Sequence, residues 1–273
     1  ATAAALEYGD YAITEAGFGA DLGAEKFYDI KCRKTGLQPD LTVLVVTLQA
    51  LKMHGGVAQE DIKKPNIEGM KNGYWNLDKH VKNLQSFGQT VVIAFNKFAT
   101  DTDEEIEVLR QHCEEMGCGF AVNNAFAEGG KGAVELANLV VKTIDEHPSA
   151  PLYFAYKDDE PVEKKIEDVA FNLYGAGSVT MSDSAKAMIE EIKKLGAEKF
   201  PICIAKTQYS FSTDAKAYGP TEGFELHVRD ITVNMGAEMI VVIAGPIMRM
   251  PGLPKSPQAE RIDVVNGEIV GLS

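Results

Sequence analysis

Thr90-Val91-Val92-Ile93-Ala94-Phe95, running directly into Asn96-Lys97-Phe98-Ala99-Thr100-Asp101 and then Thr102-Asp103-Glu104-Glu105, decides the fold. An apolar, β-branched run with no polar alternation reads as a strand buried on both faces. The Asn-to-Asp stretch is a loop at its carboxyl end. Thr102 and Glu105 stand at capping-box spacing, where hydroxyl and carboxylate satisfy the free N–H groups of a new helix. That helix carries Ile106, Leu109, Cys113 and Met116 on one face, and Gly117 stops it. Strand, loop and helix in this order are one step of a parallel sheet covered by helices.

The neighbouring sequence repeats the step. Leu41 to Thr47 is a second buried strand, and Leu77, Val81 and Leu84 recur at helical spacing before Gly88. Phe120 to Val122 is a third strand, followed by a glycine-rich loop and a helix whose apolar face is Val134, Ala137, Val141 and Ile144. Two prolines in His147-Pro148-Ser149-Ala150-Pro151 mark a boundary, giving domains 1–148 and 149–273. Beyond it, one helix carries Val162, Ile166, Val169 and Leu173 up to Gly175, and another carries Ala185, Ile189, Ile192 and Leu195 up to Gly196. Then come strands Ile202 to Ala205, the alternating Phe224, Leu226 and Val228, and Met239 to Ala244. The alternation predicts antiparallel or edge strands with one wet face. The expected class is α/β, a helix-covered parallel sheet followed by a smaller α+β domain with antiparallel strands.

The 273 residues carry 45% hydrophobic composition, enough for a substantial core, and 40 acidic against 27 basic residues give a net charge of -13. That balance repels a phosphate backbone and an anionic membrane surface, so nucleic acid is not an expected partner. The longest apolar run, near Met239 to Ala244, is far short of the roughly 18 residues of a membrane span. Ala1 to Leu6 has no signal-peptide pattern, and without an initiator Met the true N-terminus is expected elsewhere. Cys32, Cys113, Cys118 and Cys203 show no C-x-x-C spacing and read as buried free thiols of a reducing cytoplasm. A metal pair of Cys113 and Cys118 with His112 is disfavoured, because a helix and its end separate them; no metal site is expected.

Several loops tempt a phosphate reading and fail on spacing. Gly17-Phe18-Gly19-Ala20-Asp21-Leu22-Gly23 has its third glycine one place late for a dinucleotide fingerprint. Glu128-Gly129-Gly130-Lys131-Gly132 lacks both the upstream glycine and the hydroxyl residue of a Walker A loop. It stands between strand and helix, where its N–H groups suit a polar ligand as well as a tight connection. Asn96 to Asp101 echoes a guanine-reading element with the aspartate two places late, so a GTP switch is disfavoured. Phe98 and Phe126 follow neighbouring strands, where open α/β sheets bind ligands, and can clamp a flat heterocycle or fill core. Lys52 and His54 suit an anion or a proton carrier, although a lone histidine before Gly55-Gly56 more often holds a loop. Lys206-Thr207-Gln208-Tyr209-Ser210-Phe211-Ser212 is rich in donors and suits a polar ligand or a turn. Met248-Arg249-Met250-Pro251-Gly252-Leu253-Pro254-Lys255-Ser256-Pro257 is a proline-stiffened loop, suited to a ligand wall or an interface.

Taken together, Thr14 to Phe27, Ala50 to Gly56, Asn96 to Asp101, Ala127 to Gly132, Lys206 to Ser212 and Pro251 to Lys255 stand in the order of the formate–tetrahydrofolate ligase family, and the chain resembles the C-terminal half of that enzyme. The resemblance implies ligation of formate to tetrahydrofolate with ATP, through formyl phosphate attacked by N10 of the folate. It implies ATP with Mg, tetrahydrofolate, a monovalent cation, a cytoplasmic homotetramer and a sheet like that of P-loop NTPases. The phosphate loop and the formyl-phosphate arginine belong to the N-terminal half, the expected partner, so the 273-residue chain alone is expected to be inactive. The resemblance places no catalytic side chain in this chain. It implies that Phe98 and Phe126 sandwich the pterin, with Phe126 standing where the family usually has tryptophan. It implies Phe18 as a further folate-binding residue, Gly17, Gly19, Ala20 and Asp21 in a loop bordering the reacting centre, Gly129 and Gly130 in a second active-site loop, and Lys206, Thr207, Gln208 and Ser210 along the nucleotide cleft. Gln49 replaces the family's usual arginine, and Ala99 its proline or lysine. The alternative is a non-catalytic folate-binding or assembly module that never meets ATP.

Overall fold

The computed structural model describes residues 1–247 and 255–271. Of the proline-rich loop, 248–254 lie outside the described residues. The helices are α1 (Thr2–Tyr8), α2 (Arg33–Thr35), α3 (Leu48–His54), α4 (Ile67–Asn72), α5 (Tyr74–Ser86), α6 (Asp103–Glu115), α7 (Ala125–Glu128), α8 (Val134–Glu146), α9 (Val162–Val169) and α10 (Asp183–Leu195). α2 ends a helical run that starts with two wider stretches, Ala20–Ala24 and Phe27–Cys32.

The first sheet joins β1 (Thr42–Val46), β2 (Val91–Asn96) and β3 (Gly119–Asn123) in that order, all parallel. As the apolar run predicts, β2 is central and buried on both faces. On one face Val46, Ile93, Phe95 and Phe120 join a core with Leu77, Val81 and Leu84 of α5 and Ile106, Leu109 and Cys113 of α6. Gly88 and Gly117 follow those helices at positive φ, the conformation glycine adopts most readily. The opposite face meets α8, whose Leu139 lies so close that a Cβ at Gly119 would stand 3.2 Å from it.

The structure corrects three local expectations here. β1 is not buried on both faces, since Val43 is 40% and Val45 57% exposed. Thr102 does cap α6, its Oγ1 accepting from the Glu105 N–H, but the Glu105 carboxylate does not return to the Thr102 N–H. It accepts instead from Lys52 Nζ at 2.6 Å, from the Asn66 N–H and from the Thr102 hydroxyl. In α8, the face of Val134, Ala137, Val141 and Ile144 does not pack on the sheet; Val134 is 53% and Val141 38% exposed.

The second sheet has the order β4 (Ser178–Met181), β6 (Glu225–Asn234), β7 (Met239–Ala244), β5 (Ile202–Ala205). β6 and β7 are antiparallel, while β4–β6 and β5–β7 are parallel, so the expectation of antiparallel strands holds for one pairing of three. Leu226, Val228 and Ile231 of β6 and Ile240 and Val242 of β7 form its inner face, against which α9 presents Val162, Ile166 and Val169 and α10 presents Ala185, Ile189 and Ile192. A short hairpin, β8 (Asp263–Val265) and β9 (Glu268–Val270), follows. No helix among the described residues is long and apolar enough to cross a membrane.

Candidate functional site

The carboxyl ends of β2 and β3 are tied side by side. Asn96 and Asn123 are register partners; the Asn123 side-chain amide donates to Asn96 Oδ1 at 2.8 Å, and the Lys97 N–H donates to the Asn123 carbonyl. Two residues on, the Phe98 N–H donates to Asp101 Oδ2 at 2.8 Å, so Asp101 closes its own turn. Phe98 is 44% exposed and Phe126, on the short α7, is fully exposed. Neither ring fills the core. The following Glu128-Gly129-Gly130 segment folds back through the Asn124 N–H to the Gly132 carbonyl, and a Cβ at Gly132 would stand 2.4 Å from Asn124 backbone atoms. Gly129 and Gly130 lie exposed beside Phe126 in sequence.

The Gly17–Asp21 loop and the Lys206–Ser212 loop are locked together by a buried ion pair. Lys206 Nζ stands 2.7 Å from Asp21 Oδ2 and also donates to the carbonyls of Ser210, at 2.6 Å, and Thr207. It lies over the Tyr174 ring, 4.9 Å from the centroid. Burial pulls the ammonium pKa down and Asp21 pulls it back. Lys206 is therefore a strut between two loops, with its donors already engaged, while Thr207 is half-buried and Gln208 exposed. Ser210 Oγ meets Ser212 Oγ at 3.0 Å, and both side chains are buried. A Cβ at Gly23 would stand 1.7 Å from the Gly17 carbonyl oxygen, so only glycine lets the loop close on the helical run. Phe18, at its tip, has φ +63 and an exposed ring.

Asn76 and His80, which sequence reasoning passed over, complete this region. Gly19, Asp21, His54, Asn76, His80, Gln208, Tyr209, Ser210 and Phe211 surround a cavity of about 30 Å³, the space of one water. The Phe211 ring packs 4.6 Å from His80 and 6.0 Å from Trp75, which in turn meets His54 edge-on. Burial, assisted by His80, lowers the His54 pKa to about 4, and burial lowers His80 as well. Both imidazoles are thus neutral at pH 7. The proton-carrier reading of His54 does not hold, nor does the anion reading of Lys52, which is buried and spends its ammonium on Glu105 and the Lys64 carbonyl. No local string marks His80, since its partners come from sequence-distant loops.

Asp21, Glu25 and Asp29 follow at four-residue steps along the helical run. Lys26 pairs with Glu25 at 2.8 Å, and Arg33 with Asp29 at 3.0 Å. Burial, then the Glu25 carboxylate, raises the Asp29 pKa to about 8, and burial raises Glu25. A larger, open groove of about 340 Å³ is lined by Gly55, Gly56, Asp61, Asn66, Glu68 and Gly69 among others, and it includes none of Phe18, Phe98 and Phe126. Among the described residues no cluster of three or more His, Cys, Asp or Glu is arranged to hold a metal.

A protein-family model described as formate–tetrahydrofolate ligase matches residues 1–273. Formate–tetrahydrofolate ligase of Bacteroides fragilis is 65% identical over 273 residues, covering all of this chain and 49% of that protein. The Bacteroides thetaiotaomicron protein of the same name is 64% identical with the same coverage. That of Campylobacter curvus is 49% identical over 276 residues, covering all of this chain and 50% of that protein. The chain thus spans about half the length of the curated relatives it matches. It belongs to the formate–tetrahydrofolate ligase family.

Proposed function

We propose that this chain is the folate-binding half of an enzyme that joins formate to tetrahydrofolate at the expense of ATP. The observation that carries the reading is the pair of solvent-facing phenylalanines, Phe98 and Phe126, leaving two adjacent strand ends that Asn96 and Asn123 hold together. Open α/β sheets bind ligands at such strand ends. Rings stacked on a pterin gain about 0.5–1.5 kcal/mol each beyond burial. Exposed aromatic rings otherwise gain nothing from folding.

In this reading the pterin lies between the two rings, with Phe18 and the Gly17–Asp21 loop bordering N10 of the folate. Formyl phosphate is formed with residues of the remaining polypeptide, which also carries the ATP phosphate loop and extends the sheet in the manner of P-loop NTPases. Lys206 holds Asp21 and the loop in place, and Thr207, whose hydroxyl accepts from the Tyr209 N–H, and Gln208 line the nucleotide cleft. Residues 1–148 supply the folate wall, and 149–273 close it. Mg accompanies ATP, and a monovalent cation belongs to the same chemistry; among the described residues no cluster of three or more His, Cys, Asp or Glu is arranged to hold a metal. The complete enzyme is read as a cytoplasmic homotetramer.

The test is turnover. Purified 273-residue chain given formate, ATP and tetrahydrofolate makes no 10-formyltetrahydrofolate, whereas the full-length ligase does. Product from the chain alone would overturn the division of labour. A non-catalytic folate module would bind tetrahydrofolate equally well and leave the full-length protein without turnover.

A further inference from the structure

Phe98 and Phe126 leave neighbouring strands, and neighbouring strands lie about 4.8 Å apart. Two rings that hold a flat heterocycle between them, at carbon contacts of about 3.5–4.0 Å on each side, must stand roughly 7–8 Å apart. The two chains therefore have to part just past the sheet, and by a set amount. β2 and β3 end on the register pair Asn96 and Asn123, two residues before Phe98 and three before Phe126. The bonds made at that pair fix the gap.

One residue holds both departures. The Asn123 carbonyl accepts the Lys97 N–H at 3.1 Å, and its side-chain Nδ2 donates to Asn96 Oδ1 at 2.8 Å. Its Oδ1 accepts the Ala125 N–H at 3.3 Å. The first two bonds grip the two residues before Phe98, and the third grips the residue before Phe126. Beyond them each turn is closed on itself. The Phe98 N–H donates to Asp101 Oδ2, and the Phe98 carbonyl accepts the Asp101 N–H. On the other side the Asn124 carbonyl accepts from the N–H groups of Ala127 and Glu128, and Asn124 Nδ2 donates to Glu128 Oε1, which stiffens α7. Neither ring is buried, so core packing does not set their separation.

We propose that Asn123 is the positioning residue of the pterin slot, setting the separation of Phe98 and Phe126 through the two ends of its amide. The proposal rests on the folate reading above and adds the group on which the stack depends. An amide carries a donor and an acceptor on two atoms of one rigid plane, so the grip on β2 and the grip on α7 move together. Without that plane the two strand ends part independently, and a ring that loses its stack forfeits up to about tenfold in affinity.

The test is the tetrahydrofolate dissociation constant of the full-length ligase, with the KM for ATP as reference. Asn123→Ala is expected to raise the folate Kd about tenfold and to leave the ATP KM unchanged. Asn123→Asp keeps the acceptor for the Ala125 N–H, and the Asn96 amide can turn to donate to the new carboxylate, so most of the affinity is expected to return. Adding Asn96→Asp sets two carboxylates against each other and is expected to remove it again. In a Phe126→Ala background no gap is left to set, so Asn123→Ala is expected to cost nothing further; a side chain that merely supports the fold would cost the same in both backgrounds. An unchanged Kd in Asn123→Ala beside a weakened one in Phe126→Ala overturns this proposal and spares the folate reading. So does an equal loss with and without Phe126. An unchanged Kd in Phe126→Ala overturns the folate reading, and this proposal with it.

Discussion

Replacing Lys206 by methionine isolates the ion pair that joins the two halves of the candidate site. Methionine keeps most of the stem volume, so the cavity contribution is small and the electrostatic loss dominates. Lys206 and Asp21 are both buried, 2.7 Å apart, and 185 residues separate them along the chain. Removing one member of a buried pair leaves the other charge without its partner, at a cost of about 3–5 kcal/mol. Losing a donor to the Ser210 and Thr207 carbonyls acts in the same direction. The chain's single tryptophan, Trp75, touches Phe211 of the same loop, so its fluorescence reports this region during urea unfolding. Lys206→Met is expected to lower the unfolding free energy by about 3–5 kcal/mol, and Asp21→Asn in the same chain is expected to restore most of it. A loss below about 1 kcal/mol, or a double variant no better than the single, would refute the assignment of Lys206 as a strut.

Acid should weaken the His54–His80 region first. A histidine held at about 4 in the folded state contributes stability above its unfolded pKa, near 6.5, that is lost as pH falls toward 4; His54→Gln should flatten the stability profile across that window. Asp29 has the opposite sign. With a folded pKa of about 8 against an ordinary value near 4, its contribution is full in acid and is lost as pH rises toward 8. Asp29→Asn should remove that loss, as followed by chemical denaturation at pH 5 and pH 9. Gly23→Ala places a methyl against the Gly17 carbonyl, so it should cost about 1–3 kcal/mol and speed amide exchange in the Gly17–Asp21 loop.

The first sheet and its helices are legible in the sequence because their signals are local. β2 is a continuous apolar run, and α5 and α6 have a single apolar face ended by glycine at positive φ. α8 was harder to read, since it is apolar around most of its circumference and periodicity cannot say which arc a sheet will choose. In β6, alternation reports which face is wet and says nothing about partner direction, so the parallel pairing with β4 is invisible in it. β4, four residues long, carries too little pattern to stand out. Glu105 sits at capping-box spacing, yet Lys52, from another helix, outcompetes the local N–H for its carboxylate. The Lys206–Asp21 lock and the His54–His80–Phe211 cluster depend on contacts between sequence-distant segments, which no short motif encodes. Phe98 and Phe126 were legible as candidates from their places after two strands, and their exposure is what the structure adds.

The central claim, that this chain supplies the folate wall, is tested most directly by the tetrahydrofolate dissociation constant of the full-length ligase carrying Phe126→Ala. The account predicts weakening of more than tenfold, or about 1.4 kcal/mol, with the fold unchanged because the ring is fully exposed. An unchanged Kd would contradict it.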